Sequence, residues 1–136
     1  MTNFEKVGEC HEKFGFTVSD NSSQLPSTEL LLFRLRFLHE EIGELMKAIG
    51  DRDVVEVADA LIDLTYVAMG TAHYCNLPWE QLFSEVHRSN MQKERATKDT
   101  PSKRGRGDND LVKPIWWTKP DIAGVIQRCQ DVSPDD

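Results

Sequence analysis

An all-α fold is what this 136-residue chain predicts, and three observations predict it. Leu, Ile, Val, Ala and Glu are strung into segments much longer than a strand. Aromatic residues make up only 8% of the chain and glycine fills eight positions. The apolar residues also recur at three- and four-residue spacing, the period of a helix face. With 39% hydrophobic content, the chain is long enough for one domain with a core of its own and too short to expect two, so residues 1–136 are read as a single domain.

Four main helices and a loop-rich tail follow from a pass along the chain. Residues 3 to about 15 put Phe4, Val7, Cys10, His11 and Phe14 on one face, and Gly15 closes the segment. Ser19 to Pro26 is a polar connector. Ser27 or Thr28 then caps a long helix running to about Ile49, with Leu31, Leu35, Leu38, Ile42, Leu45 and Ile49 as its apolar stripe and Gly50 just past its end. Asp51 or Asp53 caps a third helix that runs to about Cys75, where Asn76, Leu77 and Pro78 stop it. Pro78 suits the first turn of a fourth helix, which carries Leu82, Phe83 and Val86 and runs to about Glu94. The tail segment 95–119 includes TKDTPSKRGRGDND, which reads as a solvated or ligand-ordered loop. A short helix from Pro120 to about Gln130 comes last, and residues 131–136 are expected to fray.

Composition and motifs exclude several function classes. The net charge of -7 argues against a dedicated nucleic-acid binder, which needs a positive footprint. Cys10, Cys75 and Cys129 are odd in number, far apart and in no CxxC pair, so neither a disulfide framework nor a zinc knuckle is indicated, and a reducing cytoplasm fits. No leader peptide or membrane span is expected. HExxH, GxSxG, GxxxxGK[ST] and GxGxxG do not occur, and no glutamate has a histidine three residues later, as di-iron bundles require.

The chemistry lies in acids placed where a core helix should be. Glu56, Asp59 and Asp63 of EVADALIDL fall within a sector of roughly 60° on a helix whose remaining circumference is apolar. Glu41 and Glu44, on the preceding helix, are three apart, a spacing that puts Cβ atoms about 5–6 Å from each other. Between Glu40 and Asp63 there are eight acids against only two bases, Lys47 and Arg52. The short connection after Gly50 makes the two helices an antiparallel hairpin, with Glu44 and Glu56 each six residues from that glycine and expected at similar heights. Four converging carboxylates form the hard oxygen site that Mg²⁺ or Mn²⁺ prefers. The plainer alternative is that acids three apart decorate a solvated helix face.

EExxE (Glu40, Glu41, Glu44) followed by ExxD (Glu56, Asp59) resembles the signature of the MazG-like all-α nucleoside triphosphate pyrophosphohydrolases. CHEKFGF, RLRFLHEEIGELMKAI, EVADALIDLTYVAMGTA, EVHRSNMQK and VKPIWWTKPDI are similar, in the same order, to the compact phage and bacterial members. The resemblance implies a MazG-like helical bundle. It also implies hydrolysis of a nucleoside triphosphate between its α and β phosphates to the monophosphate and pyrophosphate, with Mg²⁺ or Mn²⁺ held by Glu41, Glu44, Glu56 and Asp59. Glu40 is then the candidate for orienting or deprotonating the water. Lys47, Asn90, Lys93 and Lys113 are candidate phosphate contacts, and Asp63 could orient the ligand or pack against the fourth helix. His11 and Phe14 could wall a base pocket or pack the first helix onto the bundle, and Arg34 and Arg88 are candidate ion-pair partners. The phage-type pattern is similar to that of the MazZ-like enzymes that turn (d)GTP into (d)GMP, which puts guanine first and the host cytoplasm as the setting. The alternatives are a house-cleaning enzyme acting on dUTP, dCTP or damaged nucleotides, and a non-enzymatic helical module whose acidic face meets a basic partner. A homodimer or homotetramer is expected, with no nucleic-acid or membrane partner.

Overall fold

The computed structural model describes residues 1–16, 18 and 22–131. The expected fraying from Val132 onward, and Ser19, Asp20 and Asn21 of the connector, lie outside the described residues. The chain forms two compact units, Met1–Trp79 and Glu80–Asp136. The first contains α1 (Asn3–Lys13), α2 (Thr28–Gly50) and α3 (Val54–Tyr74). The second contains most of α4 (Trp79–Met91), a two-stranded antiparallel ribbon of β1 (Glu94–Arg95) and β2 (Leu111–Val112), and α5 (Ile122–Gln130). The helical class agrees with the spacing of the sequence, and the ribbon is an addition to it. No helix among the described residues is long and apolar enough to cross a membrane.

Side chains satisfy the helix starts. Thr2 and Glu5 close a reciprocal capping box on α1, with Glu5 N–H donating to Thr2 Oγ1 at 3.1 Å and Thr2 N–H donating to Glu5 Oε2 at 2.6 Å. Ser27 Oγ accepts from Leu30 N–H at the start of α2, and Asp53 Oδ1 accepts from Val55 and Glu56 N–H at the start of α3. Gly50 does not sit past the end of α2 as expected; it belongs to the last turn. The left-handed residue in the Asp51–Asp53 connection is Arg52, at φ 54°. It is tolerated there because Arg52 and Asp53 N–H both donate back to helix carbonyls, those of Ile49 and Ala48.

Two further expectations are corrected. The fourth helix stops at Met91 rather than Glu94, because Gln92 and Lys93 N–H tighten onto the carbonyls of Ser89 and Asn90 and Glu94 then enters the ribbon. The α2 stripe is also rotated: Arg34, Glu41 and Ala48 form its buried line, while Leu35, Ile42 and Ile49 stay exposed. Both lines satisfy the helical period, and the sequence-based reading chose the apolar one.

The reason for that rotation is a polar layer inside the first unit. His11 of α1 is 6% exposed and Arg34 of α2 is 8% exposed. The Arg34 guanidinium has no carboxylate partner among the described residues. It donates through Nε to Thr71 Oγ1 at 3.1 Å and through Nη2 to Val67 O at 2.9 Å, and its cation rests over the rings of Phe37 and Tyr74. His73 stacks on Phe4 at 3.8 Å between ring centroids and its Nε2 lies 2.8 Å from Phe4 O. Glycine makes room for the layer: a Cβ on Gly70 would come within 2.6 Å of Arg34 Nη2 and 2.7 Å of His11 Nε2.

These contacts make two predictions. Gly70→Ala overfills the layer and should lower thermodynamic stability by about 1–3 kcal/mol in denaturant melts. Burial, then the charges of His73 and Arg34, hold the His11 pKa below its usual value. The unfolded chain therefore takes up this proton more readily, so His11 contributes stability above about pH 6.5, lost as pH falls through that value toward the lowered folded pKa. The fall in melting temperature of the wild type between pH 7 and pH 5.5 should shrink in His11→Gln.

Candidate metal centre

The short α2–α3 connection brings carboxylates face to face inside the first unit. Glu41, Glu44 and Asp63 each offer an oxygen to a set whose members all lie within 4.8 Å of one another. Asp59, one turn before Asp63, acts on both Glu41 and Asp63 through its charge. The connection is Asp51–Asp53 rather than a turn at Gly50, and across it Asp63 meets both Glu41 and Glu44. Glu56 is exposed in the first turn of α3, its N–H held by the Asp53 cap, and is not one of the charges acting on Glu41 or Asp63.

The electrostatics are those of a site that lacks positive charge. Glu41 is 8% exposed and its Oε2 is buried without a hydrogen-bond partner. Burial first, then Glu44, Asp63 and Asp59, push its carboxyl above the usual range. Asp63 is raised by burial and then by Asp59 and Glu44. No lysine or arginine pairs with these carboxylates among the described residues. An orphaned buried carboxylate oxygen facing two more carboxylates fits a hard divalent cation, which prefers all-oxygen ligands.

The other nominated residues lie as follows. Glu40 is exposed beside the trio in sequence and lines a surface depression of about 240 Å³ with Phe33, Arg36 and Phe37. Lys47 is exposed one turn beyond Glu44. His11 is not a wall open to a base: its ring is buried against Tyr74, Phe16 and His73. Phe14 is exposed at the end of α1, with Lys13 over its ring. Asn90, Lys93 and Lys113 belong to the second unit, where Lys93 and Lys113 both approach the Trp117 ring. Of the two candidate ion-pair arginines, Arg88 pairs with Glu85 at 2.8 Å, while Arg34 is bound by Thr71 and a carbonyl instead. The Glu85 carboxyl is held at about 2 by its bonds to Arg88 and the Asp121 backbone. Asp63, expected to orient the ligand or to pack against the fourth helix, stands with Glu41 and Glu44; its spacing of four from Asp59 was the available signal.

Two comparisons with known proteins bear on this site. Residues 7–90, which include all of these carboxylates, match the family described as phosphoribosyl-ATP pyrophosphohydrolase. A protein of Acanthamoeba polyphaga mimivirus, uncharacterized protein L479, is 33% identical over 72 residues, 51% of this chain. The match takes in only 29% of that protein's length.

Relief of like-charge repulsion is measurable. Asp63→Asn should raise the melting temperature of the metal-free protein and, in the same samples, weaken Mn²⁺ binding by calorimetry by about tenfold or more.

Proposed function

The chain belongs to the phosphoribosyl-ATP pyrophosphohydrolase family, within the MazG-like all-α superfamily, and from that premise we propose that it hydrolyses a nucleoside triphosphate to the monophosphate and pyrophosphate. The observation that carries the reading is the orphaned Glu41 oxygen among Glu44, Asp59 and Asp63, a donor set suited to Mg²⁺ or Mn²⁺. Glu41, Glu44, Asp59 and Asp63 would hold the ion, with Glu56 joining from the next turn. Bound there, the ion would neutralise phosphate charge, polarise the phosphoryl group and lower the pKa of a water.

The chain's own side chains supply the rest of the reading. Glu40 is exposed beside the trio and is a carboxylate able to accept the proton of the attacking water. Lys47 offers an ammonium to the phosphates from the same face of α2 as Glu40 and Glu44. Within the second unit, Asn90, Lys93 and Lys113 are polar and cationic groups able by themselves to meet phosphate oxygens. Guanine remains the first base to test, with (d)GTP giving (d)GMP; support for it is the phage-type pattern of the sequence alone. A second copy of the chain would cover the apolar exposure of α2 and α3, where Ile42, Ile49, Leu61 and Ile62 stand in water in one chain.

The decisive assay offers all ribo- and deoxyribonucleoside triphosphates, and phosphoribosyl-ATP, with Mg²⁺ or Mn²⁺. Pyrophosphate should appear with the monophosphate; orthophosphate from the γ position would mean another reaction, and turnover of phosphoribosyl-ATP alone would remove the guanine reading. Glu44→Gln and Asp59→Asn should abolish turnover with the helical circular dichroism intact, and Glu40→Gln should lower kcat by about 10²-fold. Light scattering should report a dimer or tetramer, and Ile62→Glu should shift it toward the single chain.

A further inference from the structure

The ribbon of the second unit carries a feature that its own stability does not explain. Its register pairs Glu94 with Val112 and Arg95 with Leu111. Just beyond the paired residues at the same end stand Lys93 and Lys113, whose like charges repel one another at short range. No carboxylate pairs with either lysine among the described residues, although the same hairpin pairs Arg95 with Asp108 and Arg104 with Asp110. From Lys93 to Lys113 there are seven basic residues against four acidic ones, in a chain whose net charge is -7.

Both ammoniums instead rest on one indole. Lys113 Nζ lies 4.5 Å from the Trp117 ring centroid and Lys93 Nζ lies 5.9 Å from it. The ring itself is fixed. Its Nε1–H donates to Ser89 O at 3.1 Å, Ser89 Oγ donates to Thr118 O at 2.8 Å, and Thr118 N–H and Oγ1–H both donate to Gln92 Oε1. Ser89 is 1% exposed, so the anchor is buried while the Lys113 end is open to solvent. Adjacent Trp116 is 62% exposed and has no comparable anchor among the described residues. An aromatic face attracts cations without neutralising them, so both positive charges stay available to a third party.

We propose that Trp117 is a positioning residue that gathers Lys93 and Lys113 into one subsite for condensed phosphate, the chemistry shared by a nucleoside triphosphate and by pyrophosphate. A polyanion supplies the charge that the two lysines lack, and it meets them already held in place, which reduces the ordering cost of binding. The inference deepens the pyrophosphohydrolase reading by assigning part of its phosphate recognition. It also stands apart from that reading, because the subsite should bind inorganic phosphate chains without turnover.

The test is calorimetry of inorganic tripolyphosphate and of pyrophosphate with the full chain, free of divalent metal, at two salt concentrations. Wild type should bind, more weakly at higher salt. Trp117→Leu should weaken binding by about fivefold to tenfold, and Trp117→Phe, which keeps an aromatic face, by less. In a Lys93→Met/Lys113→Met background, Trp117→Leu should change nothing further. Equal binding by wild type and Trp117→Leu would overturn the inference, as would an equal loss with and without the lysines, which would make Trp117 a structural residue only. A thermal melt of each variant checks the fold, and Ser89→Ala, which leaves the indole present, should reproduce part of the loss. If wild type binds tripolyphosphate but cleaves no nucleotide, the subsite stands and the enzymatic reading falls. If Trp117→Leu raises KM for the triphosphate at unchanged kcat, the ligand is the substrate; a weaker product inhibition alone would assign the subsite to pyrophosphate.

Discussion

Carboxylates facing one another across the α2–α3 hairpin set the terms for the first unit. Burial disfavours the charged forms of Glu41 and Asp63, and the charges of Glu44 and Asp59 add repulsion that opposes the packing of the two helices. The pair holds because its connection is only Asp51–Asp53 and because both ends of that connection are hydrogen-bonded to the helices they join. The packing of the helices therefore holds like charges together against their repulsion. Acids held together in this way, with Glu41 buried, are characteristic of sites built for a cation rather than for stability.

The two units solve their polar problems differently. In the first, an arginine and two histidines are packed against rings and backbone carbonyls, and small residues make the space. In the second, polar groups tie the chain together: Asp110 gathers Ser102 and Arg104, and Ser89, Thr118 and Gln92 bind the segment after β2 to α4. The charged run TKDTPSKRGRGDND thus owes its order to its own side chains. Ser102 Oγ accepts from the backbone of Arg104 and Arg106 while donating to Asp110, which turns the run back on itself.

Much of this was legible in the residues, for identifiable reasons. Caps and stops act locally, so Ser27, Asp53, Asn76 and the short hairpin connection could be read directly. Acids at three- and four-residue spacing on an otherwise apolar helix marked α3 as the place to look for a site, with a solvated face as the alternative; Glu56 and Asp59 are exposed, while Asp63 is half-buried beside Glu41 and Glu44. Three things were not legible. The buried line of α2 runs through Arg34 as well as Glu41, and hydropathy alone assigns an arginine to water; only its partners on α3 reverse this. The turn of the hairpin depended on Arg52 accepting a left-handed conformation that glycine would ordinarily supply, and Asp63, not Glu56, is grouped with Glu41 and Glu44. The ribbon escaped because two-residue strands carry no period to detect.

Gly70 has a consequence for how such a sequence can change over time. The space above its Cα is shared by Arg34 Nη2 and His11 Nε2, two side chains from different helices. A larger residue at position 70 therefore requires both the side chain at 34 and that at 11 to shift or shorten, and a shorter residue at either of those leaves a hole that glycine cannot fill. The three positions form a single inherited unit, so relatives that keep the carboxylate hairpin should exchange all three together or none of them.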